Sequence, residues 1–134
     1  MKTKLEALAK HLDVEPGELS ESRYNSDVIE YGREEYLILD DSEADQAVAE
    51  HIKESVWAFR PEFLASHMTG IDPEDLAPIQ EKCESANPII LKLIDDLEHF
   101  IEDAVRSDGR GHFLSSYDGE EIELEGGFFA FRIN

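Results

Sequence analysis

The sequence predicts an α+β fold, in which two β-hairpins form one antiparallel sheet that packs against a block of helices. Apolar residues recur at helical spacing through the middle of the chain, and strand-like segments joined by short turns lie on both sides of it. This order of elements is typical of a sheet covered by helices on one face. The length of 134 residues fits a single compact domain over residues 1–134.

The N-terminal third predicts a short helix and then the first hairpin. Apolar residues at helical spacing indicate a helix over 3–12, which Pro16 and Gly17 end. The segment LAKHLDVEPGEL resembles the opening of a helix-turn-helix motif, but Glu18 and Glu21 would meet DNA phosphates with the wrong sign. From Asp27 the pattern changes to two strands, over 28–31 and 35–39, joined by a tight turn.

The middle of the chain predicts a helix from about residue 43 to Phe59 and two short helices that begin at Pro61 and Pro73. The clearest helix begins after Asn87 and Pro88 and runs without a break until Asp108 and Gly109 end it. Its apolar residues fall within an arc of about 140° at 100° per residue. We expect this helix to separate the core from an opposite charged face.

The outer face of that helix is acidic and is the predicted partner-binding surface. No Lys or Arg interleaves to offset the repulsion, which costs roughly 0.2–0.5 kcal/mol per pair of like charges three or four residues apart. A purely structural helix usually mixes charge signs. The alternative is an acidic face that only keeps the protein soluble. The predicted binding residues are Asp95, Asp96, Glu98, Glu102 and Asp103.

The overall charge restricts the classes of partner. Acids number 32 against 12 Lys and Arg, which gives a net charge of −20 and a pI near 4.4. The basic residues are scattered singly, so ordinary binding to a nucleic-acid backbone is excluded. Averaged over the surface, the charge is about three times more dilute than on duplex DNA. Nucleic-acid mimicry would therefore require the acids to crowd onto one face.

A polar segment over 109–119 is the alternative candidate site, before a second hairpin with strands over 121–124 and 128–133. If the chain is a small enzyme or ligand-binding domain, this segment would bind an anion, and its histidine would act as a general base toward a serine. The structural interpretation is a long loop whose serines bond to the backbone and whose aspartate forms a turn. The residues concerned are Arg110, His112, Ser115, Ser116, Tyr117 and Asp118.

No motif for a metal or cofactor is present, and we expect neither. The five histidines form no paired ligand motif, although His67 with Asp72 or His51 with Glu54 could be combined. The only cysteine, Cys83, lies between acids, which disfavour a reactive thiolate. A lone cysteine and the lack of an apolar leader or of a run long enough to span a membrane favour the cytoplasm.

The C-terminal segment DGRGHFLSSYDGEEIELEGGFFAFRIN resembles a family of small acidic uncharacterised proteins of bacteriophages and related mobile elements. The resemblance extends to YLILDDSEADQAVAEHIKESVWAF and EKCESAN, so it covers most of the chain after the first 30 residues. It implies an accessory protein that acts in the cytoplasm of the host cell. Such acidic proteins often inhibit host nucleases by occupying their nucleic-acid grooves, which favours mimicry.

These observations predict a non-enzymatic protein that presents its acidic helix to a basic groove of a nucleic-acid-processing or host-defence protein. The alternative is a small ligand-binding domain or enzyme that uses the 109–119 segment. A structural or homo-oligomeric phage component is a third interpretation, and it would require a large apolar patch between copies.

Overall fold

The computed structural model describes residues 3–134 and confirms the α+β class. The chain divides into two compact units: residues up to Val48 join Asp108–Asn134 in the first unit, and Ala49–Ser107 form the second. The first unit contains the sheet, whereas the second is helical. None of the helices described is both long and apolar enough to cross a membrane.

The elements follow one another with short connections. The α-helices are α1 (Lys4–Leu12), α2 (Asp41–Ser55), α3 (Pro61–Ser66), α4 (Pro73–Gln80), α5 (Asn87–Leu93), α6 (Leu97–Asp108) and α7 (Arg110–Leu114). Single 3₁₀ turns occupy Pro16–Glu18, Val56–Ala58 and Cys83–Ala86. The strands are β1 (Ser20–Glu21), β2 (Val28–Tyr31), β3 (Glu34–Asp40), β4 (Ile122–Glu123) and β5 (Phe128–Arg132).

Both predicted hairpins are confirmed, and they meet in one antiparallel sheet of order β1-β2-β3-β5-β4. Gly32, with φ of 60°, makes the turn between β2 and β3, a conformation that glycine adopts without strain. The hairpins join where β3 pairs with β5, with Ile38 opposite Ala130. Strand β1 was not predicted, because two exposed residues show no alternation.

The sheet is covered on both faces at its centre, so the prediction of one covered face is wrong. Alternate side chains of β3 and β5 point to opposite faces, and apolar residues occupy both sets. One set packs with α1, and the other packs with the first turns of α2 and with α7. The first set is Tyr36, Ile38 and Ala130 with Leu8, and the second is Leu39 and Phe131 with Ala44 and Leu114.

The second unit has its own core. Leu64 of α3, Leu76 of α4, Ile90 of α5 and Phe100 of α6 are completely buried. The ring of Phe100 lies 5.3 Å from that of Phe63, within the range of favourable aromatic pairs. The packing around Phe100 fixes the orientation of α6 within this unit and so determines which of its side chains face outward.

The prediction of one continuous helix between Pro88 and Asp108 is wrong, because α5 ends at Leu93 and α6 begins at Leu97. Ile94 is extended, with φ of −72° and ψ of 125°. The backbone N–H of Asp95 donates to the carbonyl of His67 at 2.9 Å instead of continuing the helix. The Asp96 carboxylate then accepts from the N–H of His99 at 3.2 Å and caps α6. Short acidic side chains compete with helical hydrogen bonds in this way.

Candidate functional site

The five acids of the predicted binding surface divide into two groups. Glu98 and Glu102 are exposed on α6, four residues apart, and neither has an ion-pair or hydrogen-bond partner among residues 3–134. We call these two residues the α6 acidic face. The other three carboxylates form hydrogen bonds within the second unit, which partly satisfy their negative charges. They are Asp95, Asp96 and Asp103.

Asp95 and Asp96 stabilise the break between α5 and α6. The Asp95 carboxylate accepts from the hydroxyl of Thr69 at 2.7 Å, and Asp96 caps α6. Both side chains remain exposed to solvent. Reversing their charges would remove local hydrogen bonds as well as negative charge, so such variants would not isolate a contribution to partner binding.

Asp103 connects α6 to the end of α3. Its carboxylate lies 2.8 Å from Nε2 of His67, and its other oxygen lies 3.7 Å from the guanidinium of Arg106. The His67 side chain is only 8% exposed and packs edge-on against Phe100, with ring centroids 5.1 Å apart. A buried ring nitrogen needs a hydrogen-bond partner, so Asp103 contributes to the stability of this unit.

Replacing Asp103 with alanine is expected to lower the free energy of unfolding by about 1–3 kcal/mol, because Nε2 of His67 would lose its partner in a buried position. Asp103→Asn keeps an oxygen acceptor and should retain most of the stability. Glu102→Ala, on the exposed face, is the control and should stay within about 0.5 kcal/mol of the wild type. Urea denaturation followed by circular dichroism measures all three. Equal losses in Asp103→Ala and Glu102→Ala would contradict this role of Asp103.

The sequence suggested a long loop over 109–119, the alternative site, but part of this segment is helical. Gly109, with φ of 86°, leads into the short helix α7, which covers Arg110–Leu114. Helix α7 lies close to the following turn, because Gly111 is buried against the backbone of residues 119–121. Only the residues after Leu114 form the irregular connection to β4.

Arg110 forms ion pairs with three carboxylates of the first unit. Its guanidinium is 10% exposed and lies 2.6 Å from Glu121 and 2.9 Å from each of Asp41 and Asp45. Burial lowers the pKa of Arg110, but these hydrogen bonds outweigh it and raise the pKa above its ordinary value. The guanidinium also lies over the ring of Phe129, 4.8 Å from its centre. Surrounded by these acids, Arg110 is poorly placed to bind an anion.

The two serines bond to the backbone of the C-terminal strand and its extension, as the structural interpretation predicts. The buried Ser115 hydroxyl lies 2.7 Å from the carbonyl oxygen of Arg132 and 2.9 Å from the carboxylate of Asp118. Ser116 donates to the carbonyl of Ile133 at 3.1 Å. The N–H of Glu120 and the Ser115 hydroxyl lower the pKa of the Asp118 carboxyl below its usual range. This network fixes the segment to the sheet.

The remaining two candidate residues do not complete a catalytic arrangement. The guanidinium of Arg132 lies 3.7 Å from the ring centre of Tyr117, a cation–π contact at the surface. His112 is exposed and stacks edge-on against Phe113, and no hydrogen bond joins it to Ser115 or Ser116 in the described structure. The geometry of a histidine base activating a serine is not formed by these residues.

A groove that the sequence did not predict lies in the second unit, next to the end of α2. It has a volume of about 710 Å³ and is open to solvent. The residues that line it include the apolar Trp57 and Pro88, the acidic Glu54 and Glu84, and also His51 and Lys53. The only sequence signal was the position of Trp57, beside the apolar face of its helical segment and not within it.

No group of three or more His, Cys, Asp or Glu side chains among residues 3–134 is arranged to hold a metal ion. His67, one of the histidines with a candidate ligand partner, contacts Asp103 and not Asp72. Cys83 is exposed and forms no disulfide within residues 3–134. Comparisons of the chain with protein-family models, with curated proteins and with solved structures found no match.

Proposed function

We propose that this chain is a non-enzymatic accessory protein of the phage type that binds a basic groove of a nucleic-acid-processing or host-defence protein. The observation that supports the proposal best is the α6 acidic face, where two exposed carboxylates have no compensating contact with any of residues 3–134. The sequence resemblance supports the phage origin, and together with the single cysteine it supports a location in the cytoplasm of the host cell.

The cost of the α6 acidic face favours a binding role over simple solubility. Glu98 and Glu102 are one helical turn apart, a spacing at which like charges destabilise a helix by roughly 0.2–0.5 kcal/mol. Solubility could be obtained from acids placed where they do not repel one another. Pairing with Lys or Arg of a partner would offset the repulsion, as expected for a surface that acts in a complex.

The proposed mechanism is competition for a nucleic-acid groove. A rigid helix that carries negative charges can occupy a basic groove and exclude the phosphates that normally bind there. The net charge of −20 would speed the encounter with such a partner, since charge complementarity raises association rates. A DNA mimic that inhibits host defence, such as an anti-CRISPR protein, acts in this way and is the class we propose.

Capture from bacterial lysate tests the proposal. Immobilised protein should retain a nucleic-acid-binding protein at low salt and lose it steeply as salt rises, because the contacts are screened charge pairs. Added duplex DNA should compete for the same partner. A partner retained equally at low and high salt, or unaffected by excess DNA, would contradict the proposal.

A further inference from the structure

The groove beside Trp57 combines an aromatic wall with two acidic side chains. Trp57 is half-buried in the 3₁₀ turn after α2, and Pro88 lies in the first turn of α5. Glu54 and Glu84 are exposed at the same groove. At about 710 Å³, the groove has room for more than one side chain of a peptide segment.

Side-chain hydrogen bonds to the backbone hold the walls of the groove in place. Asn87 accepts from the N–H of Trp57 at 3.0 Å through Oδ1, and it donates to the carbonyl of Glu54 at 2.6 Å through Nδ2. From α4, Gln80 donates to the carbonyl of Trp57 at 2.9 Å. The backbone on both sides of Trp57 is thus fixed before any ligand arrives, which reduces the entropy cost of binding.

The electrostatics of the groove favour a cation. Neither the Glu54 nor the Glu84 carboxylate has a partner in the part of the chain that the structure describes. Among the described residues that line the groove, which include His51, Lys53 is the one Lys or Arg, and its ammonium lies 3.5 Å from the carboxylate of Glu50. A groove lined by an indole and by two carboxylates is suited to a planar guanidinium, which stacks on aromatic rings and donates hydrogen bonds to carboxylates.

We propose that this groove binds an arginine side chain within a basic segment of a partner protein. The inference rests on the proposed function, because it assumes a basic partner, and it adds a second contact site apart from the α6 acidic face. Arginine is favoured over lysine, since a guanidinium stacks on an indole whereas an ammonium acts as a point charge.

Trp57 provides the measurement, because it is the only tryptophan in the chain. The intact protein is titrated with a blocked peptide that alternates arginine with glycine, while the tryptophan emission is recorded. Peptides with lysine or glutamate in place of arginine are the ligand controls. The double variant Glu54→Gln/Glu84→Gln tests the groove. The matched control is Glu62→Gln/Glu74→Gln, which removes the same charge from exposed positions of the same unit that belong neither to the groove nor to the α6 acidic face.

We expect the arginine peptide to change the emission of Trp57 in a saturable way, more strongly than the lysine peptide, with no response to the glutamate peptide. Glu54→Gln/Glu84→Gln should weaken binding about tenfold, and Glu62→Gln/Glu74→Gln less than about threefold. A response that does not saturate, or equal weakening in both variants, would overturn the groove as a site. Such a failure would leave the proposed function intact, because lysate capture tests that function independently.

Discussion

Replacing Gly111 with alanine is expected to lower the free energy of unfolding by about 3 kcal/mol or more, one of the largest effects of a single substitution in this protein. A Cβ at this position would lie 2.5 Å from the carbonyl oxygen of Gly119 and 2.8 Å from the backbone nitrogen of Glu121. Both contacts are with main-chain atoms, which no side-chain rotation can move. Helix α7 or the turn over 119–121 would have to shift.

Gly17→Ala is the matched control for that substitution. No atom lies within 4 Å of the position that a Cβ on residue 17 would occupy, and the backbone φ of Gly17 is outside the left-handed region. Alanine should therefore leave the free energy of unfolding unchanged within about 0.5 kcal/mol, or raise it slightly by restricting the unfolded chain. Urea denaturation of both variants measures the difference. A Gly111→Ala variant as stable as Gly17→Ala would contradict the close packing of α7.

The same packing determines the surroundings of Arg110. Since α7 begins at Arg110, a shift of α7 would move the guanidinium away from Glu121 and the two aspartates of α2. The Gly111→Ala variant therefore also tests whether the 109–119 segment is chiefly structural, because stability would fall without any catalytic group having been altered.

Much of the fold could be predicted from local sequence patterns. The hairpins have strand-forming residues around short turns, at Gly32 and at Gly126 with Gly127, and these signals act within a few residues. Burial of both sheet faces could have been inferred from the uninterrupted apolar runs in β3 and β5. In a strand with one solvent-exposed face, apolar and polar residues alternate more strictly. The two exposed residues of β1 gave no comparable signal.

The break between α5 and α6 was not predictable from helical spacing, because apolar periodicity continues across it. The carbonyl that accepts from Asp95 belongs to His67, and the hydroxyl that contacts its carboxylate belongs to Thr69. Asp103 likewise forms a hydrogen bond with His67, which is 36 residues away in the sequence. Because these partners are distant in sequence, local patterns could not show that Asp95 and Asp103 form structural hydrogen bonds. Of the five acids predicted to bind a partner, only Glu98 and Glu102 make no hydrogen bond or ion pair with residues 3–134, and the binding role itself stays a prediction.

Reversing the charge of the α6 acidic face should abolish partner binding while the protein stays folded. Glu98→Lys/Glu102→Lys replaces two attractions to a basic groove with two repulsions, which we expect to weaken binding at least tenfold. The free energy of unfolding should change by less than about 1 kcal/mol, since the lost interaction with the helix dipole is small and the repulsion is relieved. Asp95 is left unchanged because it holds Thr69.

The matched control is Glu74→Lys/Glu81→Lys, which changes the net charge equally at exposed positions in and just after α4. The decisive measurement is the affinity of the salt-sensitive lysate partner for the wild type and for both variants, at one ionic strength, with circular dichroism to verify folding. The account predicts that the partner binds the wild type and the α4 variant similarly and fails to bind the α6 variant. A folded α6 variant that binds as tightly as the wild type would contradict the central claim that Glu98 and Glu102 contact the partner.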